Sequence, residues 1–362
     1  MFLLDVIKSS KQPHNNKMGI KNSTQKKQNL RVNDLQQIQK AFSQTEEQQR
    51  DSDACSICTS SHPSIGKLSE SRTLLKMVRC LRDTKCPQLR LQLSSALFAI
   101  SALSEQHRLL VAQSGALPCL VCALYCDDLR TCEMAAWALA TIIKNSPRER
   151  DLVAAYGATL PLAALMCNSR AEIQRPALEV LQQLSLGSPH RVGLLLKNNI
   201  LPNIRLVLFQ QRTDPDVLIR TLILLRYLIQ EGNRSQKFEV INADLFPALI
   251  HGLCRNEAPV KRVAAGTIFQ LLSAAPPFAV CSTERIAHIL FFLCDHLITE
   301  ELWVLQIIYD VLVLLEKYAI DMRYVVRYSD GFEKLEEMQR SANKELSLVA
   351  IDIVALCTSN LI

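Results

Sequence analysis

A chain of 362 residues, 49% hydrophobic, can bury a large core, but ten glycines and 6% aromatic residues suit close-packed helices better than a sheet with many tight turns. Its 41 basic and 35 acidic residues leave a net charge of only +6. The seven histidines are scattered, with no HExxH pair, no Ser-His-Asp arrangement and no glycine-rich phosphate loop, so neither an enzyme nor a cofactor is expected.

The first residues, Met1 to Gln12, hold an apolar run that Asp5 interrupts and that is too short for a secretory signal. No stretch of eighteen uninterrupted apolar residues follows. The nearest, Trp303 to Leu315, carries Gln306 and Asp310, so no membrane span is expected. Thirteen cysteines, an odd number set mostly among apolar helical positions, suit a reducing compartment, cytoplasm or nucleus. The glycosylation sequons at Asn22 and Asn233 are then chance matches.

Residues 1–70 are rich in Lys, Gln, Asn and Ser and poor in periodic apolar positions, which predicts a disordered tail. Within it Lys8, Lys11, Lys17, Lys21, Lys26, Lys27 and Arg31 form a basic block with no acid between them. Asp34–Phe42 can add a short helix. No aromatic residue interleaves the basic block, so base stacking, and with it nucleic-acid binding, is not expected. Cys55 and Cys58 with His62 resemble half of a zinc site, but Cys80 and Cys86 make a poor second half, and no metal is expected.

From about Thr73 the chain becomes self-similar. Arg108-Leu-Leu-Val-Ala-Gln-Ser-Gly115-Ala-Leu-Pro is echoed by Arg150-Asp-Leu-Val-Ala-Ala-Tyr-Gly157-Ala-Thr-Leu and by Val192-Gly-Leu-Leu-Leu-Lys-Asn-Asn199-Ile-Leu-Pro, so that Gly115, Gly157 and Asn199 recur every 42 residues. These residue types tolerate a left-handed backbone and mark a sharp corner between helices. Asp244, Arg285 and Asp330 are expected to continue the series. Each unit reads as a short helix, the corner, a second helix such as Leu117–Tyr125, a polar turn and a longer third helix such as Cys132–Lys144. Cys119, Cys122 and Cys126, three and four apart, predict a stripe facing the core. Three helices per repeat predict an all-α, right-handed armadillo-type superhelix over residues 71–362, with about seven repeats. The third helices are expected to line a concave groove, which makes the chain a binder of proteins.

Four stretches carry a closer likeness: Ser104-Glu-Gln with Ser114-Gly-Ala-Leu-Pro, Glu133-Met-Ala-Ala-Trp137-Ala-Leu, Arg150-Asp-Leu-Val with Tyr156-Gly-Ala, and Asp330-Gly-Phe-Glu-Lys-Leu-Glu-Glu-Met-Gln-Arg followed by a last helix at Lys344–Cys357. In these the chain resembles the importin alpha family, armadillo adaptors that carry nuclear-localisation-signal cargo, although that family has ten repeats. The resemblance implies a Trp on each third helix and an Asn four residues later, the indole stacking on cargo lysines and the amide holding the cargo backbone. Those positions fall here on Leu97/Ser101, Trp137/Thr141, Glu179/Gln183, Ile223/Tyr227 and Thr267/Leu271. Only Trp137 keeps the family residue, and its indole is either on the groove or in the core; Trp303 reads as core or end-cap packing. Glu179 can pair with a cationic cargo and Gln183 can replace an amide, whereas Leu97 and Ile223 offer neither. The array is slightly positive, while a groove for basic peptides ought to be acidic. The resemblance also implies that the block Lys8 to Arg31 docks importin beta, with a nuclear signal or a solvated tail as alternatives. Two functions follow: an importin-alpha-like import adaptor, or a scaffold that has lost cargo import and binds one dedicated, less basic protein.

Overall fold

The computed structural model describes residues 71–210, 212–274, 283–295, 302–318 and 320–358, and every regular element among them is a helix. The basic block, the short helix at Asp34–Phe42 and the Cys55, Cys58, His62 cluster lie outside the described residues. The chain divides after Ala123 into two compact units.

In the first unit α1 (Ser71–Asp83) and α2 (Pro87–Ser101) pack on each other, followed by α3 (Glu105–Gln113) and α4 (Ala116–Ala123). Ser104 caps α3 by accepting from the His107 N–H at 3.3 Å. Leu93, Leu97 and Ile100 of α2, Val111 of α3 and Leu117 and Leu120 of α4 form the core. Cys119 is only partly buried and Cys122 is exposed. With Cys126, also partly exposed, they do not face the core as expected, because Leu117, Leu120 and Val121 take the buried side of α4.

The second unit begins with a third helix, α5 (Leu129–Ile142). Two complete three-helix repeats follow: α6 (Pro147–Ala155), α7 (Thr159–Leu165) and α8 (Ala171–Ser185), then α9 (Pro189–Lys197), α10 (Ile200–Phe209) and α11 (Pro215–Glu231). A third repeat comprises α12 (Arg234–Asn242), α13 (Phe246–Leu253) and α14 (Ala258–Ala274). The remaining described helices are α15 (Thr283–Asp295), α16 (Leu302–Lys317), α17 (Arg323–Arg327), α18 (Gly331–Met338) and α19 (Lys344–Thr358). Third helices stack in sequence, α5 on α8, α8 on α11, α11 on α14 and α14 on α16, so each repeat buries its apolar stripe against the next. Asp128 starts α5 by accepting from the Arg130 and Thr131 N–H groups, and Asp214 does the same for α11.

The corners confirm the period and correct its extent. Gly115, Gly157, Asn199 and Asp244 all have positive φ, at 81°, 83°, 59° and 48°. Arg285 instead lies within α15, and Asp330 has a right-handed backbone at φ −60°. The series ends because the chain turns differently there: a Cβ on Gly331 would meet the Cys294 carbonyl oxygen at 2.6 Å, so glycine is required for close approach rather than for a left-handed corner. A second set of corners was not anticipated. Asn145 and Gly187, at φ 61° and 76°, follow the third helices α5 and α8 with the same 42-residue spacing.

Two arginines tie successive repeats together. Arg150 donates through Nε to the Ile143 carbonyl at 3.4 Å and through Nη1 to the Leu186 carbonyl at 3.2 Å. One repeat on, Arg191, 3% exposed, donates through Nε to the Leu184 carbonyl at 2.8 Å and through Nη2 to the Leu186 carbonyl, and pairs with Asp151 on α6. Each guanidinium thereby satisfies carbonyls at the end of a third helix that have no helical partner.

The ten described cysteines are free. Cys132, Cys294 and Cys357 are buried, and burial pushes the thiols of Cys132 and Cys357 up to about 11, away from thiolate chemistry. Among the described residues no helix is long and apolar enough to cross a membrane, and no cluster of three or more His, Cys, Asp or Glu could hold a metal.

Candidate partner-binding groove

A helix whose neighbours cover most of its circumference keeps one narrow open stripe, at residues three and four apart. On α5 that stripe holds Glu133, Trp137 and Thr141; on α8 Arg175, Glu179 and Gln183; on α11 Asp216, Ile223, Arg226 and Tyr227; on α14 Arg262, Gly266 and Gln270. All belong to the second unit, and all but Arg262, which is exposed, are partly buried.

The expected pairs divide into two groups. Trp137/Thr141, Glu179/Gln183 and Ile223/Tyr227 lie on the open stripe. Leu97, Ser101 and Thr267 have no exposed surface and Leu271 has 1%, so none of these four reaches a ligand. In the first unit Leu97 is a core residue of α2, and the Ser101 hydroxyl donates to the Phe98 carbonyl at 2.8 Å. On α14 the register is off by one residue: a single step rotates a helix position by about 100° and exchanges Gly266/Gln270 for Thr267/Leu271.

Hydrogen bonding narrows what the remaining pairs can do. The Thr141 hydroxyl donates to the Trp137 carbonyl at 2.8 Å, within its own helix. Trp137 gives a side-chain hydrogen bond to Glu133, which leaves the indole face, not its N–H, for a partner. Burial, and then the neighbouring Glu172 carboxylate, raise the Glu133 pKa, with Arg130 opposing. This end of the groove is therefore acidic and aromatic.

The middle is electrostatically closed. Arg220 bonds Asp216 at 2.9 Å and Glu179 at 2.5 Å, while Arg175 meets Asp214 at 3.0 Å and Asp216 at 3.3 Å. Burial alone would lower the Arg220 pKa, yet the bonds to Asp216 and Glu179 raise it. The Glu179 carboxylate is thus already neutralised from the neighbouring helix, and the Gln183 amide donates to its other oxygen at 3.4 Å. Past this network the polarity reverses. Arg226 donates through Nε to the Gln270 side-chain oxygen at 3.2 Å, and burial lowers its pKa. Among the described residues no carboxylate pairs with it.

Beyond α14, the Gln306 amide on α16 donates to the Asp310 carboxylate at 3.2 Å, and burial raises the Asp310 pKa. A raised carboxyl pKa favours the folded protein below the unfolded pKa, and that advantage is lost as pH rises through the folded value. Asp310→Asn is therefore expected to raise the melting temperature at pH 8 more than at pH 4. Equal shifts at both would show that Asp310 titrates as an ordinary surface carboxyl. Trp303, on the same helix, is partly buried.

A cleft of about 970 Å³ lies elsewhere in the second unit, between α10 and α12, with Leu206, Phe209 and Phe238 exposed along it and Arg205 over the Phe209 ring at 5.8 Å. No third-helix residue lines it.

Comparison with known proteins agrees with this architecture. The family model described as Armadillo/beta-catenin-like repeat matches residues 104–143. Among curated proteins, importin subunit alpha-1b of Oryza sativa subsp. japonica is 28% identical over 227 residues, 62% of this chain and 42% of its own length. Importin subunit alpha-2 of Arabidopsis thaliana is 30% identical over 192 residues, 52% of this chain and 35% of that protein. The match therefore spans less than half of each relative. Among solved structures an engineered protein superposes with a TM-score of 0.66 at 17% identity, covering 90% of this chain and 78% of that one. A designed armadillo repeat protein solved with the peptide (KR)4 gives 0.51 at 18% identity, covering 78% and 99%. The chain therefore has an all-helical armadillo-repeat fold.

Proposed function

We propose that the third-helix face of the second unit binds an extended segment of a partner protein, and that the chain acts as a scaffold for one dedicated, less basic partner. The observation that carries this reading is the Arg220 bridge to Glu179 and Asp216, which neutralises the carboxylates on which a lysine-rich cargo would depend. Its support from relatives is the weak likeness to importin alpha proteins and the designed armadillo protein whose title places a peptide with it. Import of basic cargo into the nucleus is the second reading, favoured by the partly exposed indole of Trp137, bonded to Glu133, which has Glu172 as a neighbouring carboxylate. It would carry with it docking of importin beta by Lys8, Lys11, Lys17, Lys21, Lys26, Lys27 and Arg31, and residence in cytoplasm and nucleus.

Calorimetric titration with a lysine-rich localisation peptide and a charge-neutral scrambled control separates the two. The scaffold reading expects no selective binding of the lysine-rich peptide; micromolar binding of it alone would install the import reading. Under either reading Trp137→Ala weakens a groove ligand by about 1–3 kcal/mol. An affinity unchanged in a correctly folded Trp137→Ala protein would move the ligand off this face.

A further inference from the structure

The groove has two chemically different ends. At α5 the indole of Trp137 is bonded to Glu133, whose carboxylate has Glu172 as a neighbour, and at α11 and α14 stand Arg226 and Arg262. The acids between and around them are engaged: Glu179 and Asp216 by Arg220, Asp214 by Arg175, and Glu231 by the Gly187 N–H at 3.1 Å. Arg226 is the half-buried cation on this stripe that no described carboxylate neutralises. Its Nε edge is held by Gln270, which fixes the guanidinium plane and leaves Nη1 and Nη2 as a pair of parallel donors. The position facing it is Gly266, where even an added Cβ would lie 3.9 Å from Nη1, so the approach from α14 carries no side chain.

Resting on the groove reading above, we infer that the bound segment carries an aspartate or glutamate that meets Arg226 end-on, across Nη1 and Nη2. A half-buried guanidinium without an anion is costly, and a carboxylate offers the two acceptors that match its free edge. A lysine at the same place would set two cations together in a partly desolvated site. The separation from Trp137 follows from the helix stacking. From α5 through α8 to α11 there are two packing steps of roughly 8–10 Å each. An extended chain advances about 3.3–3.6 Å per residue. The acid therefore stands about five or six residues from the residue that rests on the indole.

The test uses the full chain and fluorescein-labelled ten-residue peptides of serine and valine. Each carries two variable residues about six positions apart: Lys with Glu, Lys with Gln, or Lys with Lys, and each pair is made in both orders. Fluorescence anisotropy should show one order of the Lys and Glu peptide binding about tenfold more tightly than its Lys and Gln counterpart, with Lys and Lys the weakest. Arg226→Gln should abolish the advantage of Glu while leaving the Lys and Gln peptide unchanged. Gln270→Glu, which supplies Arg226 with a carboxylate from within, should do the same without removing the arginine. A Glu advantage that survives both variants, or tightest binding by Lys and Lys, overturns the inference. Equal binding by all peptides that is lost in Trp137→Ala removes the charge assignment but leaves the groove. Binding by none removes the groove reading and the inference with it.

Discussion

Arg191→Ala is expected to lower the unfolding free energy by about 3 kcal/mol, read as a fall in the urea midpoint at unchanged slope. A hydrogen bond from a charged donor contributes about 1.5–3 kcal/mol, and this guanidinium makes two to the carbonyls of Leu184 and Leu186 while almost wholly enclosed. The Asp151 pair adds little, because that carboxylate is 63% exposed and screened by water. Truncation strands the Leu184 carbonyl, leaves the Leu186 carbonyl with only its longer bond from Arg150, and opens a void between α8 and α9. Arg150 is the internal comparison. It occupies the same place one repeat earlier, but it is less enclosed and its bonds are longer, so Arg150→Ala should cost about 1 kcal/mol. Arg191→Lys keeps the charge and loses the fork, and should recover less than half of the loss. Equal losses at the two arginines would show that enclosure is not what gives Arg191 its weight.

Leu181→Ala is expected to cost about 2–5 kcal/mol. Leu181 has no exposed surface, and its helix α8 packs against both α5 and α11. In a solenoid, cooperativity passes only between neighbours, so a defect in a central helix weakens two interfaces together. The denaturation curve should broaden as well as shift, the two sides of α8 no longer melting as one. Leu160→Ala, at a position 55% exposed on α7, should stay within about 0.5 kcal/mol of the parent protein. A sharp transition in Leu181→Ala, merely displaced, would mean that the second unit couples through contacts other than the third helices.

Much of the fold was legible because it is written in local chemistry. The last helix, read as Lys344–Cys357, spans Lys344–Thr358, and the third helix read as Cys132–Lys144 spans Leu129–Ile142. Its earlier start is set by Asp128, a capping signal that the apolar pattern does not contain. Of the family positions, Trp137, Glu179, Gln183, Ile223 and Tyr227 stand partly exposed on their third helices while Leu97, Ser101, Thr267 and Leu271 are buried, and Arg175, Arg220 and Arg226 were not anticipated. An arginine at a half-buried helical position looks the same in sequence whether it meets solvent or a carboxylate some forty residues away.

Taken by itself, the amino-acid sequence determines that this protein is helical, that it repeats, and where its first corners lie, since left-handed backbone favours glycine or asparagine and apolar spacing sets the buried stripe. Tertiary structure alone decides which residues face the groove and what charge they present. One residue of register separates Gly266 and Gln270 on the open stripe from Thr267 and Leu271 in the core. The charge of Glu179 counts for little once Arg220 is brought to it across the α8 and α11 interface. Corners and helices are short-range consequences of residue type, whereas the groove is a sum over neighbours that meet only when repeats stack.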